Sequence, residues 1–216
     1  MQGRFITVEG PDGSGKTTLI QGLLARLEAN LLPDLVATRE PGGEPLAEKI
    51  RDLILDPTHT DLDARAEALL YAASRRQHLV HKIQPALAAG KWVVCDRFVD
   101  SSIAYQAWGR EIGVAGIQAI NDFATEGQAP DLTLYLDLSA EEGIDRIQSQ
   151  RPDEYNRLDQ ESIAFHKRVV AGYQALLDQD QGQRIKVIDA SQSPAACLDQ
   201  AWAILQAAYP EAFRLN

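Results

Sequence analysis

The run Gly10-Pro11-Asp12-Gly13-Ser14-Gly15-Lys16-Thr17 has the spacing G-x-x-x-x-G-K-[ST]. Glycines let the backbone curl so that successive N–H groups point inward at phosphate oxygens. A helix starting at the end of such a loop adds unpaired donors and its positive dipole end. Lys16 brings a cation to the β- and γ-phosphates, and the Thr17 hydroxyl is placed to ligate Mg²⁺. The segment from Gly10 to Thr18 therefore reads as a cradle for a nucleoside triphosphate. It does not say what the triphosphate is used for.

Three further segments carry chemistry: Thr38-Arg39-Glu40-Pro41-Gly42-Gly43, Tyr71-Ala72-Ala73-Ser74-Arg75-Arg76-Gln77 and Asp96-Arg97-Phe98. Each sets arginine at or near the end of a predicted element. The planar guanidinium fork suits a phosphate, so a second phosphate-bearing ligand is expected beside the first. Asp96, closing a strand, is the candidate carboxylate for the metal, held directly or through water.

The elements that must position these residues follow from hydrophobic patterning. Strands are expected over residues 4–9, 35–38, 92–95, 132–136 and 185–188. Helices are expected over 16–28, 46–55, 63–88 with Pro85 as a kink or boundary, 100–107, 114–125, 162–177 and 193–208. Ser139 and Glu142 have capping-box spacing. Residues 148–158 are polar and contain Pro152, which marks them as a mobile loop or lid. Strands joined by helical crossovers imply a parallel sheet covered by helices on both faces, in one α/β domain over residues 1–216. The cradle and the Asp96-Arg97 segment then both lie at strand C-termini, where the ligand crevice of such sheets opens.

Composition removes other classes. Hydrophobic residues make up 45% and charged residues 24%, which fits a globular chain rather than a disordered or fibrous one. A net charge of −10 disfavours broad nucleic-acid or membrane-surface binding. Cys95 and Cys197 have no metal spacing and are too few for a disulfide scaffold. With no apolar run of membrane length and no signal-peptide pattern, a cytoplasmic protein is expected. His59, His78, His81 and His166 form no metal spacing and are expected at the surface.

From Phe5 to about Ala208 the sequence resembles the thymidylate kinases. The specific signatures are Thr38-Arg39-Glu40-Pro41-Gly42-Gly43 and Asp96-Arg97-Phe98 with Ser101-Ser102-Ile103-Ala104-Tyr105-Gln106. The resemblance implies a P-loop NTPase fold of the nucleoside monophosphate kinase kind, and phosphoryl transfer from ATP to dTMP with Mg²⁺. It implies that Arg39, Arg75 and Arg97 clamp the dTMP phosphate and that Tyr71, where the family commonly has Phe, stacks on thymine. Ser102 and Gln106 match positions facing the base edge, and Tyr105 the ring beneath the deoxyribose. Asp12 matches an acidic residue near the sugar 3′-hydroxyl and the metal. One branch of the family carries a catalytic arginine in the cradle, where this chain has Gly13. The other branch supplies it from the lid, for which Arg151, then Arg157 and Arg146, are the candidates here. The family also implies a homodimer, with the 63–88 region expected to contribute to its interface.

Rival readings share parts of this pattern. A regulatory GTPase would need an Asn-Lys-x-Asp motif, which the sequence lacks. A deoxynucleoside kinase would share the fold but would leave Arg39 and Arg75 without a phosphate. A catalytically silent nucleotide-binding protein would have no use for lid arginines.

Overall fold

The computed structural model describes residues 2–150, 158 and 161–214. Among these, five strands form one sheet: β1 (Phe5–Glu9), β2 (Leu35–Arg39), β3 (Trp92–Asp96), β4 (Leu132–Asp137) and β5 (Ile185–Asp189). All are parallel, in the order β2-β3-β1-β4-β5. The strand alternation that sequence predicts is thus observed, with each of the last four strands running one residue further than expected. β1, fully buried, is flanked by β3 and β4. The chain leaves β1 for one side of the sheet and later crosses to the other, so a switch point lies at its C-terminal end.

The helices are α1 (Lys16–Asn30), α2 (Pro45–Leu55), α3 (Ala64–His78), α4 (Gln84–Ala88), α5 (Val99–Ser102), α6 (Val114–Thr125), α7 (Ala140–Gln150), α8 (Ile163–Asp180) and α9 (Pro194–Ala208). π-helical turns at Leu79–Ile83 and Ile103–Gly109 join α3 to α4 and extend α5. The first ends at Ile83 and α4 opens at Gln84 with Pro85, which cannot donate a helical hydrogen bond, in its first turn, so the boundary expected at Pro85 is observed one residue before it as a change of helical pitch. Residues 148–150, expected in the lid loop, are instead the last turn of α7. The rest of that segment, apart from Leu158, lies outside the described residues, as do Arg151 and Arg157.

The two sheet faces differ. Ile6, Val8, Val94, Leu134 and Ile188 pack with α1 and α9 in an apolar core. The opposite face carries Phe5, Val93 and Cys95 towards the π turn after α3, but also Thr7, Glu9 and Thr133, all fully buried. Thr7 and Thr133 are register partners, and their hydroxyls lie 2.7 Å apart. Arg184 donates to both oxygens of Asp100, at 2.7 and 2.9 Å, beside them. A polar layer therefore runs beneath the ligand end of the sheet.

Candidate active site

The loop after β1 turns on Gly10, Gly13 and Gly15, all at positive φ (150°, 76° and 88°), and Lys16 opens α1. Lys16 folds back across the loop, its Nζ donating to the carbonyls of Gly10 (2.9 Å) and Pro11 (2.8 Å) and, at 3.4 Å, to Ser14 Oγ. Burial, reinforced by the Arg97 charge, lowers its ammonium to about 8, against the opposing pull of Asp12 and Asp96. A Cβ on Gly13 would lie 2.2 Å from the Gly143 carbonyl oxygen of α7. A Cβ on Gly143 would lie 2.5 Å from the carbonyl oxygen of Asp12. The loop and α7 touch backbone to backbone, so the position that bears an arginine in one branch of the family is sterically closed here.

After β3 the chain turns sharply at Arg97, whose φ of 67° lies in the left-handed region. Its N–H donates to Val8 O (3.0 Å), and the next N–H, that of Phe98, donates to Glu9 Oε1 (2.7 Å). Ser101 Oγ and Tyr173 OH donate to Glu9 Oε2, at 2.6 and 3.0 Å. Burial, with the Asp100 charge nearby, raises the Glu9 carboxyl to about 7. The Arg97 guanidinium reaches from this anchorage to the cradle. It donates through Nη2 to Asp12 Oδ1 (2.5 Å) and through Nη1 to Gly10 O and Ser101 Oγ (both 3.2 Å). It also lies 4.9 Å above the Tyr105 ring centroid. Burial alone would raise the Asp12 carboxyl, but the Arg97 and Lys16 cations hold it below the usual carboxylate range.

A cleft of about 270 Å³ lies between these two turns. Of the residues expected for the triphosphate and metal, Asp12, Gly13, Gly15, Lys16, Thr17, Thr18 and Asp96 line it. Of those expected for the acceptor, Tyr71, Arg75, Arg97, Ser102, Tyr105 and Gln106 do so too. Arg39 does not. It ends the edge strand, is half exposed and donates to Glu48 Oε2 (2.9 Å). Arg75 lines the cleft but is only 2% exposed. Its Nε donates to Glu40 (2.7 Å), Nη1 to Ser102 (2.9 Å) and Asn121, and Nη2 to Phe98 O (2.9 Å). So heavily engaged a guanidinium holds the wall of the cleft together and has little left for a two-pronged phosphate grip. The expected clamp of Arg39, Arg75 and Arg97 is therefore not assembled as such in this structure.

Arg51, which sequence reasoning passed over, does line the cleft and donates to Pro41 O (2.9 Å). Its signal was its place on α2 between the buried Ala47 and Ile54, four residues after one and three before the other. Glu9, Glu40 and Glu67 were also missed. Nor do all four histidines lie at the surface. His78 is fully buried, its Nδ1 3.0 Å from Glu40 Oε1 and its Nε2 2.6 Å from Thr38 Oγ1, and His166 is buried as well. Strand-end and helix-face polar groups needed partners, and His78 supplies them where a surface position could not. Among the lid-arginine candidates, Arg146 on α7 lines the cleft and donates to Ala190 O (3.0 Å).

The donor set fits Mg²⁺. Thr17 and Asp96 share the cleft, and Asp96 Oδ1 is buried with no hydrogen-bond partner among the described residues. Mg²⁺ bound to nucleotides takes one or two protein ligands and completes its shell with phosphates and water. A cluster of three or more acidic, His or Cys ligands, absent among the described residues, is not required. No helix among them is long and apolar enough to cross a membrane.

The thymidylate kinase family model matches residues 8–201. The chain belongs to the thymidylate kinase family. A thymidylate kinase from Latilactobacillus sakei is 56% identical over 200 residues, covering 93% of each chain. One from Enterococcus faecalis is 53% identical over 213 residues, covering 99% of this chain and 100% of the other. The crystal structure of thymidylate kinase from Ehrlichia chaffeensis superposes with a TM-score of 0.75 at 31% identity, covering 95% of this chain and 100% of that one. Membership carries the family's reaction, phosphoryl transfer from ATP to dTMP, and with it the use of Mg²⁺-ATP.

Proposed function

We propose that a single domain performs this transfer in the cleft between the Gly10–Thr18 loop and the β3–α5 turn. The observation that supports the reading most directly is Arg97. Its guanidinium touches Asp12 of the cradle on one side and Ser101 and Tyr105 of the acceptor wall on the other. One cation therefore faces both substrates.

ATP phosphates rest on the loop N–H groups and the start of α1, with Lys16 swinging from the loop carbonyls to the β- and γ-oxygens. Thr17 and Asp96 hold Mg²⁺, which when bound neutralises charge on the transferring group. Tyr71 stacks on thymine, Tyr105 lies under the deoxyribose, and Ser102 and Gln106 face the base edge. Arg97 and Arg51 hold the acceptor phosphate, and Arg39 joins them only by giving up Glu48. A phosphate monoester with a second pKa near 6 is mostly deprotonated at neutral pH. No general base is needed, and the rate comes from aligning two anions and cancelling their charge. The lid side supplies a further arginine: Arg146, which lines the cleft, or Arg151 or Arg157, which lie beyond the described residues.

Exposed Leu46 and Leu53 on α2, Leu69 on α3, and Val114 and Phe123 on α6 support a homodimer, because these helices pack side by side. Steady-state kinetics with each substrate varied tests the assignment. Arg97→Ala and Arg51→Ala are expected to lower kcat/KM for dTMP by about 10²–10³-fold, the effect of removing a charge-stabilising donor. Arg151→Ala is expected to lower kcat by about 10³-fold or more. Unchanged kcat there moves the role to Arg146 or Arg157. Turnover of thymidine but not dTMP would favour a nucleoside kinase.

A further inference from the structure

Gln106 is almost fully buried and lines the acceptor end of the cleft. Its Nε2 donates to Glu67 Oε1 at 3.0 Å. Glu67 lies on the first turn of α3 and is fully buried. Arg110 grips the same carboxylate with two nitrogens, Nε to Oε1 (3.3 Å) and Nη2 to Oε2 (3.1 Å). Arg110 is itself held by Glu161 (2.5 Å) and lies 4.8 Å above the Phe165 ring centroid.

An amide can be turned end for end, and its two faces then offer opposite chemistry: a donor at the nitrogen or an acceptor at the oxygen. A carboxylate fixes the choice, because an ionised carboxylate only accepts. Both Glu67 oxygens already accept from Arg110, so the carboxyl meets Gln106 as an acceptor. With Nε2 committed to Glu67, the other polar atom of Gln106 is Oε1.

The geometry points to Glu67 as a positioning residue that sets base specificity, by holding Gln106 so that it offers an acceptor, Oε1, to the pyrimidine ring. The inference rests on the proposed placement of the base against Gln106. Thymine has a donor at N3–H, which matches. Cytosine has a bare acceptor at N3, so two lone pairs would face each other. Sites built to pair with a particular substrate group reject analogues lacking it by up to about 10⁴–10⁵-fold. The role is distinct from holding the fold, because it predicts which base is lost and which is gained.

The test compares kcat/KM for dTMP and dCMP in the wild type and in Glu67→Gln, alongside thermal melting. The substituted amide can donate to Gln106 Oε1, which allows Gln106 to turn its NH₂ towards the base. The expected result is a fall of about tenfold or more in the dTMP-to-dCMP ratio, with KM for ATP unchanged. A folded variant that retains the wild-type ratio overturns the proposal. A second measurement needs no substitution: side-chain amide spectra of ¹⁵N-labelled wild type, with and without dTMP. The Gln106 NH₂ protons are expected to stay hydrogen-bonded and slow to exchange in both states. If dTMP draws them off Glu67 onto the base, the proposal fails. A wild type that does not phosphorylate dTMP would instead refute the reading of the reaction.

Discussion

Lys16 and Arg97 are two cations in one small cleft, and each changes what the other can do. The ammonium of Lys16 sits near 8 because it is buried and because the Arg97 charge opposes it. Its charge is present below that pH and lost as pH rises through it. Since kcat/KM reports the free enzyme, the value for ATP is expected to fall as pH climbs past about 8. Arg97→Gln removes the opposing charge and frees Asp12, which favours the ammonium, so the alkaline limb of the residual activity should move to higher pH. A pH–rate profile of both proteins checks this, and coincident limbs would separate Lys16 from Arg97. The cradle could be recognised from the chain alone because its chemistry is written in eight consecutive residues. Glu9 could not. It lies in a buried strand, and its partners Phe98, Ser101 and Tyr173 are far away in sequence.

Among the helices outside the cradle itself, α7 touches it backbone to backbone. Replacing a glycine by alanine inside a helix ordinarily stabilises by about 0.5–1 kcal/mol. At Gly143 the added methyl meets a backbone oxygen 2.5 Å away, which no rotamer change relieves. Gly143→Ala is therefore expected to lower the melting temperature and to reduce kcat/KM for ATP by about tenfold or more. Kinetics and calorimetry on one preparation decide it, and a more stable, fully active variant would show that α7 yields easily. All five strands were apparent from short apolar runs between longer amphipathic ones. α3 shows where such reasoning stops. Its buried positions include Glu67, Ser74, Arg75 and His78, so the inward stripe is largely polar. Hydrophobic periodicity finds the helix there but not what it is for, since these groups are buried only because partners on β2, α6 and the α5 region satisfy them.

The assembled chain brings together segments near residues 12, 51, 71, 97, 105 and 146, joined by a parallel sheet whose strand ends converge on the cleft. On its outer side, α6 holds out Phe123 at 88% exposure, with exposed Leu69 on the adjacent α3. Phe123→Glu is expected to shift a sedimenting dimer towards monomer at micromolar concentration, and an unchanged sedimentation coefficient would place the contact elsewhere. α3 is then a party wall. Its outward surface would meet the neighbouring copy, while Glu67, Tyr71 and Arg75 would furnish the room in which, on the proposed placement, the pyrimidine is received. If the proposed dimer forms, diluting it apart should consequently blur recognition of the acceptor nucleotide first and leave the grip on ATP, built on the loop that follows the sheet's central strand, nearly untouched.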